Sequence, residues 1–418
     1  LYFNTTGKEN TALGSLSLVG NTTGDGNVAV GYRSLHSNTT GISNVALGAV
    51  ALYNNTDRSN LVAVGDSAMY SNTSGEGNTA VGSKALFDNT IGYRNTAIGF
   101  SASYSNSTGN NNTAVGYEAL RSNTGGYRNT AVGVMTLRSN TTGIWNTAVG
   151  VDALTSNTTG SGNTAVGFDA LDFNFEGEYN TAVGNNALGL NGTGSDNTAI
   201  GVNSMYFNST GSLNVAVGRG SGFGNLSTNY NKCTFVGAHI FIDFSRTNVS
   251  ALGYGIGNAQ NTGDNQVLLG NTAVTQIRAQ VGTISTYSDA RFKSNVSDDV
   301  VGLPFITKLR PVSYNQNPEI LHRIWGTPDS LLARIDHSEI KQKRFVGLIA
   351  QEVEQAMKES GYAHFPGVDI PRNEKEVYTM RYGDLIVPMI KAIQEQQQMI
   401  EKLLSRIADL EKKVSEQK

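Results

Sequence analysis

Asn78-Thr79-Ala80-Val81-Gly82 is one copy of a phrase that recurs through the first half of the chain. Its glycine returns thirteen times at an interval of seventeen residues, from Gly14, Gly31 and Gly48 to Gly201 and Gly218. An asparagine stands ten residues before each glycine, from Asn4 to Asn208, and an alanine two before, from Ala12 to Ala216. A fixed period over half a chain means stacked identical units rather than one globular core. Function in this half then lies in shape and surface more than in a single pocket.

Seventeen residues are too few for a helix-turn-helix repeat and suit one coil of a β-solenoid. Extended chain covers about 3.3 Å per residue, so a coil has room for two short strands and two turns. Thr79-Ala80-Val81 reads as one strand, and an apolar pair such as Ala85-Leu86 or Ala153-Leu154 follows it. Asn140-Thr141-Thr142-Gly143 and Asn157-Thr158-Thr159-Gly160 read as turns, because Gly supplies positive φ and Asn tolerates the left-handed region. Equivalent residues should lie about 4.8 Å apart in columns, and the thirteen coils should span on the order of 60 Å. A column of alanine leaves room for another chain, and no coil carries much core of its own. Both points predict a homotrimer or other oligomer that shares its core.

The repeat resembles the head of trimeric autotransporter adhesins (YadA-like), over about residues 1–218. The resemblance implies a left-handed parallel β-roll trimer. The unit of seventeen is longer than that family's commonest one, so one turn is expected to be enlarged.

Composition changes along the chain. Of 65 Lys, Arg, Asp and Glu residues, 38 lie from Ser288 onward, 19 of each sign, in under a third of the length. The C-terminal part therefore has an ordinary globular or helical composition. The net charge of −3 gives no support for a nucleic-acid partner. Cys233 is the only cysteine, so no internal disulfide forms, and it reads as a small buried hydrophobe. No apolar run is long enough for a membrane span. Leu1-Tyr2-Phe3-Asn4 already matches Met205-Tyr206-Phe207-Asn208, so the chain is expected to be a C-terminal piece of something longer. The Asn-x-Thr/Ser sequons at Asn38, Asn72 and Asn157 read as by-products of the turn.

After Gly218 the register decays, and residues 219–287 read as irregular β coils that close the solenoid. Then come four blocks: Tyr287-Ser288-Asp289-Ala290-Arg291-Phe292-Lys293, Leu309-Arg310-Pro311-Val312, Gly347-Leu348-Ile349-Ala350-Gln351-Glu352, and Tyr382-Gly383-Asp384-Leu385-Ile386-Val387-Pro388. In this order and spacing, residues 288–418 resemble the endosialidase-type intramolecular chaperone, the autocleaving C-terminal domain of phage tail spikes and appendages. The resemblance implies a module that assists trimerisation of a β-helical stalk and then cuts itself off. It places the catalytic serine on Ser288, the lysine on Lys293 and the scissile bond between Tyr287 and Ser288. Phe292 stands where the family more often has Leu. The residue types suit the chemistry: a serine hydroxyl needs an adjacent base, and a lysine serves once burial or a nearby cation lowers its pKa.

Ile386, Ile393, Ile400, Ile407 and Val414 repeat at seven, with Met389, Gln396, Leu403 and Leu410 three residues after the first four. This a/d pattern predicts a parallel coiled coil with a polar layer at Gln396. Ile at a with Leu at d suits a dimer as well as a trimer. The five histidines show no ligand spacing, and no metal or cofactor is expected. Acids such as Asp66, Glu76, Asp152 and Asp169 occupy variable positions on the coil, where stacking could bring a pair of carboxylates together.

The expected protein is mainly β: a trimeric parallel β-roll or β-solenoid shaft (1–218), a degenerate β connector (219–287), an α+β chaperone and autopeptidase (288–384) and a coiled-coil helix (385–418). The expected role is a tail fibre or appendage of a virion, with a host cell-surface receptor, a glycan among the options. The alternatives are a bacterial surface adhesin with the same chaperone, or a glycan-degrading tail spike.

Overall fold

The structure, a computed structural model, describes residues 1–225, 228–242, 244–257, 263–271, 274, 288–324, 337–371, 373–374 and 376–417. Contacts divide the chain into two compact units, Leu1–Asn271 and Thr272–Lys418. The protein is mainly β: a parallel β-solenoid of about 15 turns, then a small helix and sheet unit with a long terminal helix.

In the first unit, thirteen three-residue strands, β1 (Thr11–Leu13) through β13 (Val215–Val217), lie parallel in chain order. Thr79 sits on Thr96, Ala80 on Ala97 and Val81 on Ile98, one coil apart. Past β13 come β14 (Tyr230–Asn231), β15 (Thr234–Val236), β16 (Arg246–Thr247), β17 (Val249–Leu252) and β18 (Gln266–Leu269). Of these, β15, β17 and β18 extend the same sheet to sixteen strands, while β14 and β16 pair in a small sheet of their own.

Each coil holds one strand, not the expected two. Ala85-Leu86 and its equivalents lie in a turn, because Gly82, Lys84 and Leu86 take φ of 138°, 59° and 51°. A left-handed residue other than Gly costs about 1 kcal/mol. Leu86 is fully buried, which contributes about 2 kcal/mol in return. At Gly184 a side chain is excluded twice over: φ is +135°, and a Cβ would stand 2.7 Å from the carbonyl of Gly201 on the next coil.

The alanine column does not await another chain. Ala80 and its equivalents from Ala29 to Ala216 are fully buried within their own coil, in a core formed with Leu86 and its counterparts. A methyl is all that fits between the leucine stack and the sheet. Where the sequence departs from this rule, volume is exchanged locally. Phe235 takes the alanine position in β15, and Gly222 takes the leucine position of the preceding coil. A Cβ on Gly222 would lie 2.6 Å from the Phe235 ring, so the missing side chain makes room for it.

Buried asparagines join the coils. Asn140 Nδ2 donates to Asn123 Oδ1 at 2.9 Å on the previous coil and to the Gly143 carbonyl at 3.1 Å, while Asn140 Oδ1 accepts from Asn157 Nδ2 at 2.8 Å. This chain of amides runs unbroken from Asn4 to Asn191. A second column, six residues on, accepts from backbone: Asn146 N–H donates to Asn129 Oδ1 at 3.0 Å, and Asn129 Nδ2 donates to the Gly143 carbonyl at 2.9 Å. The sequon residues Asn38, Asn72 and Asn157 belong to the first column and are fully buried, so the folded chain cannot present them to a glycosylating enzyme.

In the second unit, α1 (Leu303–Ile306), α2 (Pro318–Ile324), α3 (Ser338–Gln342), α4 (Ala350–Ser360) and α5 (Ile386–Glu416) accompany two antiparallel strand pairs. These are β19 (Val312–Asn315) with β20 (Arg344–Gly347), and β21 (Val368–Asp369) with β22 (Thr379–Met380). Ala350, Val353, Ala356 and Met357 of α4 pack with Phe305, Phe365, Val368 and Leu385 as its core. The start of α5 is docked there: the Leu303 N–H donates to Glu395 Oε2 at 2.7 Å, and Ala392 is buried. Among the described residues no helix is long and apolar enough to cross a membrane.

Replacing Asn140 with Ala would leave Asn123 Oδ1 without its donor in a dry interior, and would take one of two partners from Asn157 Nδ2 and the Gly143 carbonyl, which keep the Gly160 carbonyl and Asn129 Nδ2. A buried group left unpaired costs about 1–3 kcal/mol. Asn140→Ala should lower the stability of the shaft by on the order of 2 kcal/mol in denaturant unfolding. The exposed Thr142→Ala on the same turn should change it by less than about 0.5 kcal/mol.

Candidate functional site

From Ser288 the second unit forms a short turn built from its own polar residues. Asp289 caps a 3-10 turn, Ala290–Phe292, by accepting from the Arg291 N–H at 2.8 Å. The Arg291 guanidinium returns to the same carboxylate at 2.9 and 2.6 Å, which holds Asp289 below the usual carboxylate range. The Lys293 N–H closes the turn onto the Ala290 carbonyl at 3.2 Å. One turn of chain thus folds back over five residues, and Lys293 Nζ donates to Ser288 Oγ at 2.7 Å. Both side chains are exposed to solvent. Tyr287, on the other side of the expected scissile bond, lies outside the described residues.

The heptad residues all fall on α5. Ile386, Met389, Ile393, Ile400, Leu403, Ile407, Leu410 and Val414 are exposed, Ile393 by 64% and Leu403 by 60%. Pro388 and Ala392 are the buried residues of this helix. Cys233 is buried, and burial pushes its thiol up from the ordinary value.

Among the shaft acids, Glu76 pairs with Arg58 at 2.9 Å. Asp152 and Asp169 act on a third acid, Asp172. Burial first, then the charges of Asp169 and Asp152, push its carboxyl up to about 6. Asp172 was not among the acids singled out from the sequence. Its place follows from the period, because it stands three residues beyond Asp169 on the same coil.

The aromatic ladder was missed altogether. His36, Tyr53, Tyr70, Phe87 and Tyr104 occupy one column, and their rings stack at 4.9 to 5.3 Å. The Arg121 guanidinium caps the last ring at 5.6 Å. The rings stack face to face along the column, and each is half-buried. The signal was an aromatic residue five places after successive repeat glycines.

The first unit is a parallel β-solenoid, and the second is a small helix and sheet module. Comparison with known families adds one finding: residues 288–362 match the family described as chaperone of endosialidase. That family comprises autocleaving intramolecular chaperones. The match begins at Ser288, the first residue of the Ser–Lys pair. Such a chaperone behind a β-solenoid shaft fits a tail-fibre-like structural protein. No curated protein and no solved structure matches the chain.

The raised Asp172 pKa makes a signed prediction. An unfolded Asp titrates near 3.9, so the folded state binds this proton more tightly than the unfolded chain. Its contribution to stability is then greatest below about pH 4, falls as the pH rises to about 6, and is constant above that. Asp172→Asn should raise the apparent Tm at pH 7.5 by a few degrees and leave it nearly unchanged at pH 4. Thermal unfolding at the two pH values checks this; an equal gain at both would refute it.

Proposed function

We propose that this chain is the shaft of a trimeric tail fibre or appendage, and that its second unit aligns three chains before severing itself between Tyr287 and Ser288. The carrying observation is the 2.7 Å hydrogen bond between Ser288 and Lys293 at the first residue of the chaperone match.

Lys293, once neutral, takes the proton of the Ser288 hydroxyl, and Ser288 Oγ attacks the carbonyl carbon of the preceding residue. The C–N bond of that peptide breaks as the Ser288 nitrogen receives the proton. The result is an ester between the Tyr287 carbonyl and Ser288 Oγ. Water hydrolyses it, which leaves a carboxylate on the shaft and a free amine on the released module. Nothing else is consumed, so the reaction is one turnover in cis.

Two features support assembly before cutting. A lysine base has to lose its proton, which solvent opposes and burial promotes; Ser288 and Lys293 are exposed in the single chain. The a/d residues of α5 are exposed as well, as the unpaired half of a coiled coil would be. Association of three helices would bury that seam and enclose the dyad. The mature shaft would then serve in adhesion, with a host-surface receptor as its partner and the virion as its place.

Intact-mass measurement tests the chemistry. Wild type should split into 1–287 and 288–418, while Ser288→Ala and Lys293→Ala should remain whole. Lys293→Arg should also remain whole, because a guanidinium keeps the hydrogen bond but cannot act as a base. Cleavage in that variant, or a wild type that stays whole after folding, would overturn the proposal. Ile400→Lys, placed in the a column, should lower both the trimer fraction in sedimentation and the cleavage rate by at least tenfold. Unassembled chains that cleave at the wild-type rate would separate cutting from assembly.

A further inference from the structure

One face of the shaft is built unlike the others. Each strand turns its central residue inward, alanine in all but β15 and β18, so the residues on either side of it point outward together. The residue before each glycine is aliphatic in all sixteen strands of the sheet, from Leu13 through Val149 to Leu269. It is half-buried or exposed throughout, with Leu47 at 45% and Ile98 at 40%. Two positions earlier stands Thr, Val or Ser in every strand. Two positions later, just past the glycine, exposed Tyr32, Phe100, Tyr117, Val151 and Phe168 extend the strip. Of the 48 positions in these three columns (16 × 3), only Asp66 and Arg219 carry charge. Charged residues such as Arg33, Lys84, Glu118, Asp152 and Asp169 instead occupy the column beyond.

We infer that this uncharged strip is the surface by which copies of this chain pack against one another along the shaft, with the aliphatic column nearest the shared axis. The inference rests on the trimer reading above and identifies the face that reading left unassigned.

Three observations favour a second copy as occupant. The first is area. Sixteen strands at about 4.8 Å give a face about 70 Å long, and the three columns span about 13 Å. That makes about 900 Å² per chain, which a trimer divides between two neighbours, so the three interfaces together bury about 2,700 Å². Within it the aliphatic column runs unbroken through all sixteen strands. The second is pitch. The strip repeats at the coil spacing over its whole length, and another copy in register presents the same spacing row for row. The third is chemistry. Almost without charge, the strip has little to hold an ionic ligand, whereas interdigitated aliphatic side chains need none. The buried alanine column excludes the alternative that the copies share an interior.

Cysteine cross-linking of the full chain tests the assignment. Val149→Cys lies at mid-shaft in the aliphatic column, and Thr142→Cys is exposed on the turn of the same coil outside the strip. The native Cys233 is buried, so wild type serves as the unlinked control. With a short bis-maleimide, Val149→Cys should give a covalent two-chain product at least tenfold faster than Thr142→Cys. Sedimentation of the same samples keeps the two readings apart. A trimer in which Val149→Cys stays unlinked, or links no faster than Thr142→Cys, overturns the face and leaves the trimer standing. A dimer linked through Val149→Cys supports the face and overturns the trimer. A monomeric wild type overturns both.

Discussion

The amide-to-amide hydrogen bond between asparagines one coil apart is the constraint on which the shaft depends. A coil of seventeen residues turns too tightly to satisfy its backbone by strand pairing alone, since only three residues per coil are strand. Much of the rest pairs backbone to backbone with the neighbouring coil, as the Leu86 N–H does with the Ala102 carbonyl, but inward groups such as the Gly143 carbonyl and the Asn146 N–H find no backbone partner. The two asparagine columns supply the missing partners, and each side chain both donates and accepts, so every coil presents to the next the pattern it received. Glycine at φ near +135°, the left-handed leucine and the packed alanine then follow. Each is the residue that fits once the asparagine has set the pitch.

That regularity has a consequence for assembly. Each coil offers its neighbours nearly the same groups, so a slip of one whole coil between chains loses little contact energy. The second unit is chemically the opposite: an irregular core around Phe305 and Val353, and a helix whose apolar seam has a defined beginning. The proposed order, alignment first and cutting afterwards, places the specific element where it can impose register on the unspecific one. The Ser288–Lys293 contact stands at the start of that unit.

Much of the fold was legible because a period states its own geometry. The strand at Thr79–Val81, the parallel register and the columns follow from repetition alone. The Ser–Lys pair was legible only through resemblance, since the spacing of five says nothing until the Asp289 cap folds the turn. The second strand was misread because Ala85-Leu86 has the composition of a strand. Sequence does not reveal that Lys84 and Leu86 take left-handed backbone, a conformation that tertiary burial sustains against local preference. The alanine column was misread for the same reason: a small residue signals close approach, and the approaching group proved to be the chain's own leucine.

By itself, the sequence determined that the first unit is a stack of coils with identical rows, because hydrogen bonding between equivalent residues needs only the period. It also determined that Ile386 to Val414 form one apolar seam, because 3.6 residues per turn place them on one side of a helix. Only the tertiary structure decided which way each column faces. Whether a three-residue strand turns its alanine in or out depends on what the rest of the coil puts behind it, and that is set by the left-handed turn at Leu86. The same turn settles which rows are left uncovered along the shaft: the aliphatic row on the far side of the sheet, beside threonine or valine.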